Sequence, residues 1–156
     1  MANTRNNTDI VRGDELWMFI GASSTTAPIA FATQHSLSRS LNTTQVSSKD
    51  HGNTSYTIPG EGSWTASTEA LYSTDGFTSV MDLFDTGALV YVTFGKISNY
   101  TAQGIVDTEN PVWTMGTPNW TGTGYITSLQ ASGGHGDSAT FSIEIGGVGP
   151  LTKHTA

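Results

Sequence analysis

Between Gly60 and Phe94 the polarity of the chain changes period twice. Trp64 and Ala66 alternate with Ser63, Thr65 and Ser67, the two-residue period of a half-buried strand. Phe77, Val80, Met81 and Phe84 then recur at i, i+3, i+4 and i+7, which draws one apolar stripe along an amphipathic helix. Asp75, or Thr74 before it, predicts the helix start, because a short oxygen-bearing side chain satisfies free N–H groups there and a carboxylate suits the positive end of the dipole. Gly87 stands where a glycine would close the helix. Residues 88–94 are apolar and β-branched, so a strand returns at once. This is the only stretch with a helical period, and its stripe needs a sheet to lie on.

Strand and turn patterns fill the rest. Residues 16–22 (LWMFIGA) form a compact apolar run and predict the first strand. Residues 28–41 alternate over a long span. Ala30, Ala32, Gln34, Ser36, Ser38 and Ser40 make a small, polar face suited to water or a wide channel; Ile29, Phe31, Thr33, His35, Leu37, Arg39 and Leu41 make the other. Turn chemistry follows at Asp50, Gly52 and Asn53, then a strand over 54–58, stopped by Pro59-Gly60. Residues 28–58 are therefore expected to be a long hairpin whose tip projects. Residues 96–110 read as a polar connection and 112–115 as a short strand. Two strands, over 123–131 and 139–145, flank the glycine-rich turn GGHGDS, and the glycines at 146, 147 and 149 with Pro150 are expected to end the second. Residues 1–14 read as an arm and 152–156 as a tail. The expectation is one domain over 1–156, mainly β: a β-sandwich or barrel with one flanking α-helix and a long projecting hairpin.

Composition sharpens this picture. Charged residues are only 12% of the chain, against roughly a quarter in typical domains, and Ser, Thr and 18 glycines take their place. A surface so poor in charge fits one covered by copies of itself, or a plain β-sandwich. The net charge is −7. Arg5, Arg12, Arg39, Lys49, Lys96 and Lys153 are scattered singly, which excludes a nucleic-acid grip built on clustered cations. No cysteine is present, so there is neither a disulfide framework nor a thiolate site. The N-terminus lacks the apolar core of a secretory signal, and no window approaches a membrane span. The five Asn-x-Ser/Thr sequons, at Asn6, Asn42, Asn53, Asn99 and Asn119, then reflect a chain rich in Asn and Thr.

Candidate chemistry is sparse. Serines abound without a G-x-S-x-G elbow, and His35, His51, His135 and His154 lie far apart. His135 and Asp137 form the one near-neighbour His/Asp pair and lack zinc-ligand spacing; a hairpin turn accounts for them. Asp82 and Asp85 on the helix, and Asp107 and Glu109 in the connection, read as solvated acids. Catalytic, cofactor and metal sites are therefore expected to be absent. Trp17 and Trp64 are read as core. Trp113 and Trp120 flank a Gly/Pro turn and leave one alternative function, a glycan-binding β-sandwich module.

The order and spacing of several short motifs resemble the major tail (tail-tube) protein family of siphophages, the phages with long non-contractile tails. The carrying residues are Val46-Ser47-Ser48-Lys49-Asp50 with Gly52, Pro59-Gly60, and Gly62-Ser63-Trp64-Thr65-Ala66-Ser67. Glu69-Ala70-Leu71, the helix over 77–85 and Gly87 with Val90-Tyr91-Val92-Thr93-Phe94 follow. Gly124-Tyr125-Ile126-Thr127-Ser128-Leu129, then 136–142 and Gly147-x-Gly149-x-Leu151, complete the match over most of 15–151.

The resemblance implies a virion structural protein that assembles in the host cytoplasm into stacked, hexameric rings. In such rings a sheet from each subunit joins its neighbours around a lumen, a conduit for DNA at ejection. It implies tape-measure, tail-tip and tail-terminator partners, no specific DNA binding and no membrane. Under it, Arg12 of the arm, together with Leu41, Val46, Lys49, Asp50, His51 and Tyr56 of the hairpin tip, are the expected subunit contacts. Gln34, Ser36, Ser38 and Glu144 are the expected lumen-facing residues. The tubes of contractile injection machines share this architecture and form a more distant reading.

Overall fold

The computed structural model describes residues 10–23, 26–28, 32–98 and 113–155. Expectations for residues 1–9, for 29–31 and for the connection beyond Ser98 lie outside them. Among the described residues seven strands and one α-helix follow in order: β1 (Leu16–Gly21), β2 (Ala27–Pro28), β3 (Ala32–Val46), β4 (Tyr56–Leu71), α1 (Thr74–Thr86), β5 (Val90–Ile97), β6 (Met115–Ser132) and β7 (Thr140–His154). They form one sheet in the order β2-β1-β5-β6-β7-β4-β3. Every pairing in it is antiparallel. The mainly β architecture with one helix is as the sequence pattern predicts.

The sheet forks. From Thr140 to Gly146, β7 lies between β6 and the Leu71–Thr65 part of β4. Beyond Gly146 the two strands part: β7 stays with β6 as far as His154, and β4 stays with β3 as far as Tyr56. One branch is the long β3–β4 hairpin. The other carries β6 across to β5 and β1. The sheet curls until β1 meets β3, where the Trp17 and His35 rings stand 5.3 Å apart. The result is an open barrel.

Trp64 fills the crotch of the fork and is 4% exposed. Its indole lies directly on Gly147, where a Cβ would collide with the ring, and on Gly122, where a Cβ would come 2.7 Å from Cζ2. The indole Nε1 donates to the Gly149 carbonyl at 3.1 Å, so its polar atom is satisfied inside the core. The glycines at 146, 147 and 149 with Pro150 do not end β7, contrary to the sequence expectation. Pairing jumps from Thr123–Val148 to Thr121–Thr152, so Gly149 (φ 75°), Pro150 and Leu151 bulge out of register. Leu151 packs against the core cluster. Residues 152–154, expected to be a tail, are the last rungs of β7.

The core forms where the branches face one another. Ala66, Ala70, Phe141, Ile143 and Ile145 come from one side; Met18, Ile20, Val90, Val92 and Phe94 come from the other. Helix α1 covers the end where β4 finishes and β7 begins. Its cap is Ser73, whose Oγ accepts from the Gly76 N–H at 3.2 Å, and not Asp75 or Thr74. Gly87 closes it in the left-handed conformation (φ 63°), as expected. Val80 is buried and Phe77 and Leu83 pack on the core, while Phe84 is 41% exposed. The buried stripe therefore turns through Leu83 and not Phe84, set by the Phe77–Phe141 contact at 5.6 Å.

Two further expectations change. Pro59-Gly60 does not stop a strand: β4 runs through it, with Pro59 opposite Thr43. A bulge between the Leu41–Gly62 and Thr43–Pro59 pairs absorbs the misfit, as a proline in a two-stranded ribbon allows. Of the short strand expected over 112–115 only Met115 is strand: it opens the 18-residue β6, which runs on without a break through the strand expected from Thr123. Thr and Gly there can serve a strand as well as a turn.

Candidate assembly surfaces

Strand register decides which side chains share a face. Across the four strands above the fork, Ser36, Ser67, Glu144 and Ser128 form one row, and Gln34, Glu69, Ser142 and Gln130 the next. Both rows point away from the core, because their alternates Ala66, Thr68, Ile143 and Ile145 are buried. The four residues expected on a polar surface, Gln34, Ser36, Ser38 and Glu144, are thus brought to one face from strands a hundred residues apart in sequence. Much of its hydrogen bonding is spent within the face: Ser36 bonds Ser67, and Ser40 bonds Ser63 at 2.7 Å. Glu69, which the sequence reading did not assign to this face, is a diagonal neighbour of Glu144. Its parity with Thr65 and Ser67 was the available signal. No lysine or arginine interrupts the two rows.

This four-stranded sheet has an open edge on each side. Among the described residues β3 pairs only with β4. On the other flank β5 covers β6 only from Met115 to Gly124, so among the described residues no strand pairs with that edge of residues 125–132. Open edges of this length are templates for pairing with another chain.

Below the fork, the β3–β4 hairpin leaves the body. Leu41 is 57% exposed, Tyr56 56% and Ile58 51%. Val46 opposes Tyr56 and Thr44 opposes Ile58, so Val46, Tyr56 and Ile58 share one apolar face. A helical turn at Lys49–His51 and Gly52 (φ 61°) close the tip, and the His51 ring lies 4.0 Å from that of Tyr56. The structure thus gathers Leu41, Val46, Lys49, Asp50, His51 and Tyr56 in one half-hairpin and adds Ile58 to them. Arg12 belongs to a separate element. It opens the helical turn Gly13–Glu15, where its N–H donates to Glu15 Oε2 at 2.9 Å.

The histidines do not converge. His35 sits on the core side of β3, its Nδ1 2.7 Å from Thr68 Oγ1, and burial lowers its pKa to about 4. His135 and Asp137 lie in the β6–β7 turn, closed by the Asp137 N–H donating to Gly134 O at 3.1 Å. Among the described residues no His/Asp/Glu group could hold a metal ion. No described helix is long and apolar enough to cross a membrane. Trp113 and Trp120 are half-buried, and Trp113 stands 5.3 Å from Trp17, so neither is a free platform for a sugar ring.

Two open edges, a polar face and an apolar hairpin that leaves the body define a class: a β-sheet subunit of a self-assembled wall. The phage tail tube protein family matches residues 16–153, and the chain belongs to that family, the structural proteins of the tail tube. No curated protein matches it by sequence. Among solved structures, the chain is similar to a subunit of the tail of an empty gene transfer agent particle, refined helically with C6 symmetry, at 17% identity and TM-score 0.72, covering 94% of this chain and 100% of that one. It is similar to the SPP1 tail tube at 14% identity and TM-score 0.66, covering 94% and 80%. It is also similar to a chain of the anti-feeding prophage baseplate at 10% identity and TM-score 0.58, covering 90% and 91%.

Proposed function

We propose that six copies of this chain close into a ring and that rings stack into the tail tube, a non-enzymatic conduit for DNA. The observation that carries this is the sense of the two open edges. From β6 to β3 the four strands alternate in direction, so β3 of one copy laid against β6 of the next is again antiparallel. The same pairing then repeats around a closed ring. Four strands from each of six copies, at about 4.8 Å per strand, give a wall roughly 115 Å around and about 37 Å across between backbones. That leaves room for a double helix once side chains are added.

The serine-rich face with Glu69 and Glu144 lines this lumen, so Gln34, Ser36, Ser38 and Glu144 face the passing DNA. Six copies at −7 carry −42 per ring. Only acids within a Debye length of about 8–10 Å act on DNA, so the lumen carboxylates are the ones that repel it. The hairpin, with Leu41, Val46, Lys49, Asp50, His51 and Tyr56, makes subunit contacts, as do the N-terminal segment with Arg12 and the end of β7. Tape-measure, tail-tip and terminator proteins are the partners, and assembly takes place in the host cytoplasm.

Electron microscopy of the purified chain over a concentration series tests the reading. Rings or hollow tubes are expected. A monodisperse monomer at every concentration, also in the presence of tail-tip proteins, would overturn it.

A further inference from the structure

Beneath the fork, β4 and β7 diverge around a wedge-shaped groove of about 840 Å³. Trp64, Leu41, Pro150 and Leu151 give it apolar walls, and Arg39 and Glu61 stand at its rim. Arg39 is exposed, and the one ion pair among the described residues, Lys96–Glu15 at 3.6 Å, leaves it unpaired. At the opposite end of β7 is the β6–β7 turn. It is narrow, because Gly133, Gly134 and Gly136 carry no side chains, and it presents exposed His135 and Asp137. Asp137 has no ion-pair partner among the described residues either.

Taking as its basis the stacked-ring reading above, we infer that the β6–β7 turn of a second copy enters this groove, pairing Asp137 with Arg39 and setting His135 beside Glu61. Three observations converge. A head-to-tail stack needs two different patches at opposite ends of one chain, and these are such a pair. Arg39 and Asp137 carry opposite charges in a chain that has only 6 cations. Their shapes match: a blunt side chain at 133, 134 or 136 would not fit a wedge that narrows towards Trp64. The spacing also sets a length. Thr140 and Pro150 lie ten residues apart on β7, about 33 Å along a strand, to which the turn adds a few ångströms. The axial repeat of the tube follows from that distance.

Charge reversal in the full chain tests the pairing. Arg39→Glu and Asp137→Arg are each expected to raise the concentration for half-maximal tube formation at least tenfold while single rings persist, and the double variant is expected to return it to within threefold of the wild type. Single variants that form tubes like the wild type, or a double variant no better than the singles, overturn the pairing. Loss of rings as well as tubes in the singles places the contact sideways and overturns it while the tube reading stands. A wild type that forms neither rings nor tubes sinks both. As a second measurement, Glu61→Cys with His135→Cys in a chain free of native cysteine should give a ladder of disulfide-linked oligomers from assembled tubes under oxidation; absence of the ladder overturns the placement.

Discussion

Trp64 shows how a residue and its neighbours define one another. A tryptophan placed where two strands part needs flat ground, and Gly122 and Gly147 supply it. Gly147→Ala drives a methyl group into the indole, and destabilisation of about 1–3 kcal/mol is expected from overpacking, read as a lowered urea midpoint. His35 has the opposite character, a polar ring in an apolar seam. Its Nε2 has no partner among the described residues, and burial holds the imidazole neutral down to a pKa of about 4. In the unfolded chain it titrates near 6.5. The unfolded state therefore takes up a proton first as pH falls. The contribution of His35 is complete above pH 6.5 and is lost as pH drops towards 4. Urea midpoints measured from pH 7.5 to 4.0 should fall more steeply in the wild type than in His35→Asn. The seam it closes, Trp17 against β3, is where acid is expected to loosen the barrel first.

At the scale of elements the hairpin separates folding from assembly. Val46, Tyr56 and Ile58 are exposed and stand outside the core cluster. Val46→Ser with Tyr56→Ser should shift unfolding stability by less than about 0.5 kcal/mol, as surface changes do, yet abolish sedimentable tubes. Equal loss of both would show that the hairpin belongs to the fold.

The elements differ in how far local sequence reveals them. The alternation from Gln34 to Ser40 displayed the polar face directly, because a strand's faces are written in residue parity. The helix was legible from its period, but its cap and buried side were not: Ser73 precedes the periodic stretch, and Phe77 rotates the stripe by meeting Phe141 of β7 edge-to-face. The fork was hidden. Glycines at 146, 147 and 149 look like a terminus in sequence, and only a tryptophan more than eighty residues away makes them a continuation. Pro59-Gly60 misled for a related reason, since a bulge at Gly60-Glu61 in β4 itself lets the strand pass through them.

For the whole molecule, charge placement is the distinctive property. The two polar rows proposed to line the lumen hold Glu69 and Glu144 and no cation. Glu69→Lys with Glu144→Lys should leave tube assembly intact, since neither side chain lies in the hairpin or the groove. Tubes of that variant should retain short duplex DNA in filter binding at low salt and release it as salt rises, whereas wild-type tubes retain none. Binding by the wild type would count against an acidic lumen.

Strand direction has one more consequence. In the proposed wall the strands run roughly along the tube and their hydrogen bonds run around it, each subunit bonded sideways to the next through β3 and β6. Such a wall behaves like a hooped hose. Pressure from within is resisted by continuous backbone bonding around the circumference, whereas the joints between rings are made by side chains alone. The tube should therefore flex between rings under load long before any ring bursts.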